Sequence, residues 1–163
     1  MVFLLLVNCT PAAQQHGADS DTTFAATQAR GAAVMGVDQY TSAHVFEDLR
    51  DGGRIVLDRD DSADSVGIAT VRAHMRSIAA SFRAGDFTKP FQVHAQTVPG
   101  TAVMAQHRRR IQYMAIDRPN GAEVKLQSSD SIAIQAIHQF LAFQRTAHHA
   151  AGHEHMASDP HTP

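Results

Sequence analysis

From Thr41 to Leu49 the residues TSAHVFEDL read as a strand, and Asp51-Gly52-Gly53 marks a tight turn into a second strand, RIVLD. The acidic stretch DRDDSADSV follows, in which Asp61, Ser62 and Asp64 are N-cap and first-turn residues for a helix running to about Phe82. On that helix Val71, Met75, Ile78 and Phe82 fall within about 60° of one another at about 100° per residue, which predicts a buried stripe. Gly85 to Thr97, with Pro90 and His94, reads as a loop or short extended segment, and Pro99-Gly100-Thr101 opens a short helix through about Arg109. In RIQYMAID the residues Ile111, Tyr113 and Ala115 share one face. Asn120-Gly121 then turns the chain into AEVKLQ, where Ala122, Val124 and Leu126 point to the same side. Ser129 or Asp130 caps a last helix, SIAIQAIHQFLAFQR, whose stripe is Ala133, Ile137, Phe140, Leu141 and Gln144; after Ala147 the pattern dissolves.

The two halves of this path are alike. GGRIVLDRDDSADSVGIATVRAHMRSIA can be laid over GAEVKLQSSDSIAIQAIHQFLA with a gap, VRA above IQA, which sets Met75 opposite His138. A two-stranded ribbon with one helix cannot bury its own faces, so the two units are expected to pack together. The predicted fold is α+β: a ββα-ββα pseudo-repeat forming a four-stranded antiparallel sheet, with two long helices on one face and a short connector helix. It occupies residues 34–147 as a single domain. Residues 10–33 show no convincing period and read as a disordered linker, and residues 148–163 as a His-rich disordered tail.

Ahead of the linker, the apolar run Val2 to Val7 is far shorter than the roughly 20 residues that span a bilayer as a helix, and it stops at Cys9, the only cysteine. Leu6-Val7-Asn8-Cys9 is similar to the lipobox of bacterial lipoproteins. That resemblance implies a signal over residues 1–9, a lipid anchor on Cys9, and an exported protein, periplasmic or tethered to the membrane. A cleaved signal without lipidation, or an ordinary N-terminus with Cys9 as a free thiol, are the alternatives. A second resemblance spans Met35-Gly36-Val37-Asp38-Gln39, Thr41, His44, Phe46, DGGRI, RAHMRSIAASFRAGDF, His94 and IHQFLAFQ. Together these resemble a group of small exported bacterial proteins of unassigned function, which implies a compact exported domain and brings no activity with it.

Composition narrows the chemistry. The chain has 163 residues, 44% hydrophobic and without Trp, so its core is built from Val, Ile, Leu, Ala and a few Phe. A net charge of −2 provides no long-range field for nucleic acid. The one basic cluster, Arg108-Arg109-Arg110, reads as a helix C-terminus, where cations are favoured. A single cysteine excludes an intramolecular disulfide. G-x-S-x-G, the Walker A loop, G-x-G-x-x-G and H-E-x-x-H are all absent, so no catalytic residues are assigned and no substrate is named. Asp58, Asp60, Ser62 and Asp64 copy the first half of a calcium loop, but Ala63 and Ala69 stand where its glycine and its last acid belong.

The distinguishing number is 11 histidines, five of them after Ala147. Candidate ligands within the folded domain are His44, His74, His94, Met104 and His138, with Met75 on the stripe beside His74. His149, His153 and His155 form an auxiliary site in the tail. Imidazole and thioether together suit copper, Cu(I) above all, and also serve as axial ligands of haem. The leading expectation is an exported copper-binding protein of the bacterial envelope. A haem-binding periplasmic protein is the alternative, and a structural or interaction module with an envelope protein partner and no cofactor is the third.

Overall fold

Two hairpins make the sheet. In the first, β1 (Ser42–Leu49) turns through Arg50 and Asp51 into β2 (Gly52–Arg59); in the second, β3 (Ile111–Arg118) turns through Pro119 and Asn120 into β4 (Gly121–Ser128). β2 and β4 pair antiparallel, Ile55 opposite Val124, and give the order β1-β2-β4-β3. The computed structural model describes residues 13–35 and 41–150; Cys9, His153 and His155 lie outside these. Within them are also α1 (Ala13–Met35), α2 (Ser65–Ala84), α3 (Thr88–His94), α4 (Thr101–Gln106), a 3-10 turn at Arg108–Arg110, and α5 (Ser131–Ala147).

The core follows the alternation. Phe46, Ile55, Leu57, Ile111, Tyr113, Ala122, Val124 and Leu126 are buried on the inner face of the sheet, against Val71, Met75, Ile78 and Phe82 of α2 and Ala133, Ile137, Phe140 and Leu141 of α5. Each long helix packs mainly on the other unit's hairpin, α2 over β3 and β4 and α5 over β1 and β2. Both begin at a capping aspartate. Asp64 accepts from the Gly67 amide at 2.8 Å, and Asp130 accepts from Ile132 and Ala133 at 2.9 and 3.3 Å. Asp58 instead pairs with Arg118 at 3.0 Å on the outer face. The acidic stretch is thus used for helix entry and a cross-strand ion pair.

The pseudo-repeat holds, in a different register from the one read in the sequence. Strand residues of the first half match those 69 positions later: the Arg59 amide donates to Asn120 O, and the Ser128 amide donates to Asp51 O, both at 2.8 Å. Helix residues match 66 positions later, counted between the two capping aspartates. The loop before α2 is three residues longer than the loop before α5, and the acidic stretch fills it. Arg72, not Met75, is therefore the counterpart of His138, and their roles agree. Arg72 donates to the carbonyls of Arg118 (2.6 Å) and Gly121 (3.2 Å) in one hairpin turn, while His138 Nε2–H donates to Leu49 (3.0 Å) and Gly52 (2.8 Å) in the other. A slip of three residues is nearly one helical turn, which leaves the apolar stripe almost in place and hides the error.

Two further expectations are corrected. The stretch read as a linker carries α1, an alanine-rich helix of weak amphipathicity; its buried contacts are made by Thr27, Gln28 and Gly31, too polar and small to announce a stripe. Arg30 Nε donates to Val93 O at 2.7 Å and fixes it to α3. The loop read around Pro90 is α3 itself. Proline is tolerated there because it falls in the first turn, where amides have no partner within the helix.

At Gly100 the backbone is left-handed (φ 80°), and a Cβ would run into the Ala136 carbonyl of α5. Gly85, the left-handed cap of α2 (φ 82°), would meet only the flexible end of Arg108. Gly85→Ala is expected to cost about 1 kcal/mol, for the left-handed conformation alone. Gly100→Ala adds a backbone clash and should cost above about 2 kcal/mol; the urea midpoints of the two variants test the order.

Candidate functional site

The helices leave a gap above the first hairpin. There a cavity of about 80 Å³ is floored by Phe46, Ile55 and Leu57 and walled by Met75, Ile78 and Phe82 of α2 and Phe140 and Gln144 of α5. Pro90 and Val93 of α3 and Val34 of α1 close it further. Four imidazoles from four different segments border it: His44 of β1, His74 of α2, His94 at the end of α3, and His148 just past α5. Among the described residues of the lining, Lys89 is the only cationic side chain and no carboxylate takes part.

Each ring is held differently. His44 lies on the inner face two residues from Phe46, and its Nε2 is buried with no hydrogen-bond partner. The Ser42 backbone favours a hydrogen on the ring, and in the tautomer that carries it on Nδ1 the Nε2 lone pair is left unused. His94 Nε2–H donates to the Gln144 amide oxygen at 3.0 Å, so its lone pair is on Nδ1. His148 stacks on His44 with ring centroids 5.7 Å apart and meets His94 edge-on at 5.0 Å. Two imidazoles on one ion, with metal–nitrogen bonds of about 2.0–2.1 Å, have centroids roughly 5 to 6.5 Å apart between tetrahedral and linear angles. The ring spacings match that range. Their present orientations do not, because among the described residues no three His, Cys, Asp or Glu side chains already converge as ligands.

Burial keeps these rings neutral. Desolvation lowers the His44 pKa, partly offset by its bond to the Ser42 backbone. It lowers that of His94, against the Gln144 bond and with help from the Arg30 charge. His74 is brought down to about 4 by burial, then by the charges of Lys89 and His44. His148 is brought down to about 3 by burial, then by His44 and His94. At neutral pH all four rings are uncharged.

Of the residues expected from sequence, His44, His74 and His94 come together, and Met75 joins them. Met104 does not: it is fully buried in the core beneath α4, filling space among apolar neighbours. Nor does His138, which is spent on the β1–β2 turn. His149 stacks on Phe24 of α1 at 4.2 Å, away from the cavity lining. His148, which the dissolving pattern after Ala147 assigns to the tail, is the functional residue that sequence reasoning misses. The signal was present, since Ile137, Leu141, Gln144 and His148 continue the α5 stripe at helical spacing. His44 has a counterpart of a different kind in the second half. Tyr113, the register equivalent of His44, also buries a hydroxyl without a hydrogen-bond partner, edge-on to Phe82 at 6.0 Å.

No protein-family model matches the chain, and no curated protein or solved structure is detectably similar to it. Among the described residues no helix is long and apolar enough to cross a membrane.

These lowered values make stability depend on pH in a defined direction. The unfolded histidines protonate near pH 6.5, whereas folded His74 and His148 wait until about 4 and 3. Between those limits the unfolded chain binds more protons, so stability is full above about pH 6.5 and lost as pH falls. The melting temperature of metal-free protein should therefore drop between pH 7 and 4.5. The double variant His74→Phe/His148→Phe, which installs the residues the other half uses at these places, should drop distinctly less.

Proposed function

We propose that this chain is an exported copper-binding protein of the bacterial envelope that holds one ion in the histidine-lined cavity. The carrying observation is His44 Nε2, a buried nitrogen with a lone pair and no partner, on a residue that lines the cavity. A buried polar atom left unpaired costs on the order of 1–3 kcal/mol, which a metal–nitrogen bond would more than offset. His94 Nδ1 and the His148 ring are the neighbours best placed to complete the coordination, with His74 and the Met75 thioether beside them. Neutral imidazole and thioether are the donors copper prefers, whereas calcium and magnesium take oxygen. The similarity of Leu6-Val7-Asn8-Cys9 to a lipobox supports export and a membrane tether through Cys9.

Copper is favoured over haem on size. A cavity of about 80 Å³ accepts an ion, while pockets for organic ligands run to roughly 300–1,000 Å³.

The test is metal analysis and an absorption spectrum on the full chain, with His149, His153 and His155 changed to Ala so that scavenging by the tail is removed. After loading with copper under reducing conditions and gel filtration, near-stoichiometric copper should remain. His44→Ala and His94→Ala should lose most of it while keeping the native circular dichroism spectrum. Copper bound equally by these variants, or by none of the proteins, refutes the reading, and a Soret band after haem addition replaces it with the haem alternative. Bound copper at a hundred times its Kd should also stabilise the fold by about 2.7 kcal/mol in thermal unfolding.

A further inference from the structure

The charge around the cavity is unusual for a metal site. Among the described residues every donor in its lining is neutral: imidazoles, the Met75 thioether and the Gln144 amide. Lys89, in the lining, is held in place from α2, its ammonium donating to Ser77 Oγ at 2.7 Å and Ser81 Oγ at 3.4 Å. A second cation, Arg30, is close enough to act on His94 and is anchored to Val93 O. Asp86, a carboxylate within electrostatic reach of Lys89, is exposed and occupied with the Thr88 amide at 2.9 Å, at the start of α3 outside the lining. Asp48 on β1 forms a bidentate pair with Arg145 at 3.0 Å.

A cation entering such a site meets no opposite charge from the described residues that line it. The desolvation cost of an ion grows with the square of its charge, so a divalent ion suffers about four times the penalty of a monovalent one. Its repulsion from the Lys89 ammonium is also doubled. Resting on the metal-site reading above, we propose that Lys89 is a selectivity residue, and that it restricts the cavity to a soft monovalent cation, Cu(I), against zinc and other divalent ions. Lys89 coordinates nothing in this arrangement. It acts by position and sign, and the imidazoles supply the bonds.

The experiment compares Ag(I), a redox-silent substitute for Cu(I), with Zn²⁺ by calorimetric titration of the full chain in the tail-histidine-to-Ala background. Wild type should bind Ag(I) and take Zn²⁺ at least about a hundredfold more weakly. Lys89→Gln should narrow the ratio about tenfold and Lys89→Glu further, each mainly by strengthening zinc. Tight zinc binding by wild type, or a ratio that Lys89→Glu leaves unchanged, overturns the selectivity role while leaving a metal site standing. Failure of every variant to bind either ion, with native circular dichroism spectra, overturns the metal-site reading and this one with it.

Discussion

The pairing of β2 with β4 is the contact on which everything else depends. Neither hairpin can shelter its inner face alone, and their central pairing joins the two faces into one surface wide enough for two helices. Because each helix then crosses to the other unit's hairpin, both units are locked: Arg72 grips the turn of the second, and His138 grips the turn of the first. The helices meet through side chains, Phe82 edge-on to Phe140 at 5.7 Å, rather than by close approach of their backbones. The space between them is filled partly by the connector and partly by the histidine-lined cavity.

Much of this was legible. Asp51-Gly52 and Asn120-Gly121 specify tight turns, and the alternation of Ile111, Tyr113 and Ala115 against Ala122, Val124 and Leu126 fixes which face is inside. The stripes of α2 and α5 were read correctly because long side chains at helical spacing leave a strong signal. What escaped was what small or polar residues do. α1 is helical with hardly any apolar stripe, and α3 contains a proline that reads as a breaker until its first-turn position is known.

The candidate site was half legible for a related reason. Abundance pointed to histidine, but which imidazoles meet depends on the third dimension, where four segments converge. His138 and His74 looked alike on a helical wheel. One is used by a turn carbonyl and the other by a cavity, and only the crossing of the helices decides between them. Met104 looked like a ligand from its spacing to His107, yet that histidine leans on Asp130 at 3.3 Å while the methionine is sealed in the core. The tail boundary drawn after Ala147 cut off His148, a ring that touches both His44 and His94.

The offset of 66 positions between the helices has an implication for how such a site can arise. His74 and Phe140, Ile78 and Gln144, Phe82 and His148 are equivalent pairs, and all six side chains face the same cavity. A single ββα unit associating with its twin would present every such position twice, so any polar group admitted for chemistry would be admitted in duplicate, with duplicate desolvation. Once both units share one chain, the copies are independent. An imidazole can stand opposite a phenyl ring, and an amide opposite an isobutyl-sized hydrocarbon, so half of the wall remains greasy enough to hold the fold. Covalent linkage of the repeats is therefore what lets a twofold scaffold carry an asymmetric set of donors.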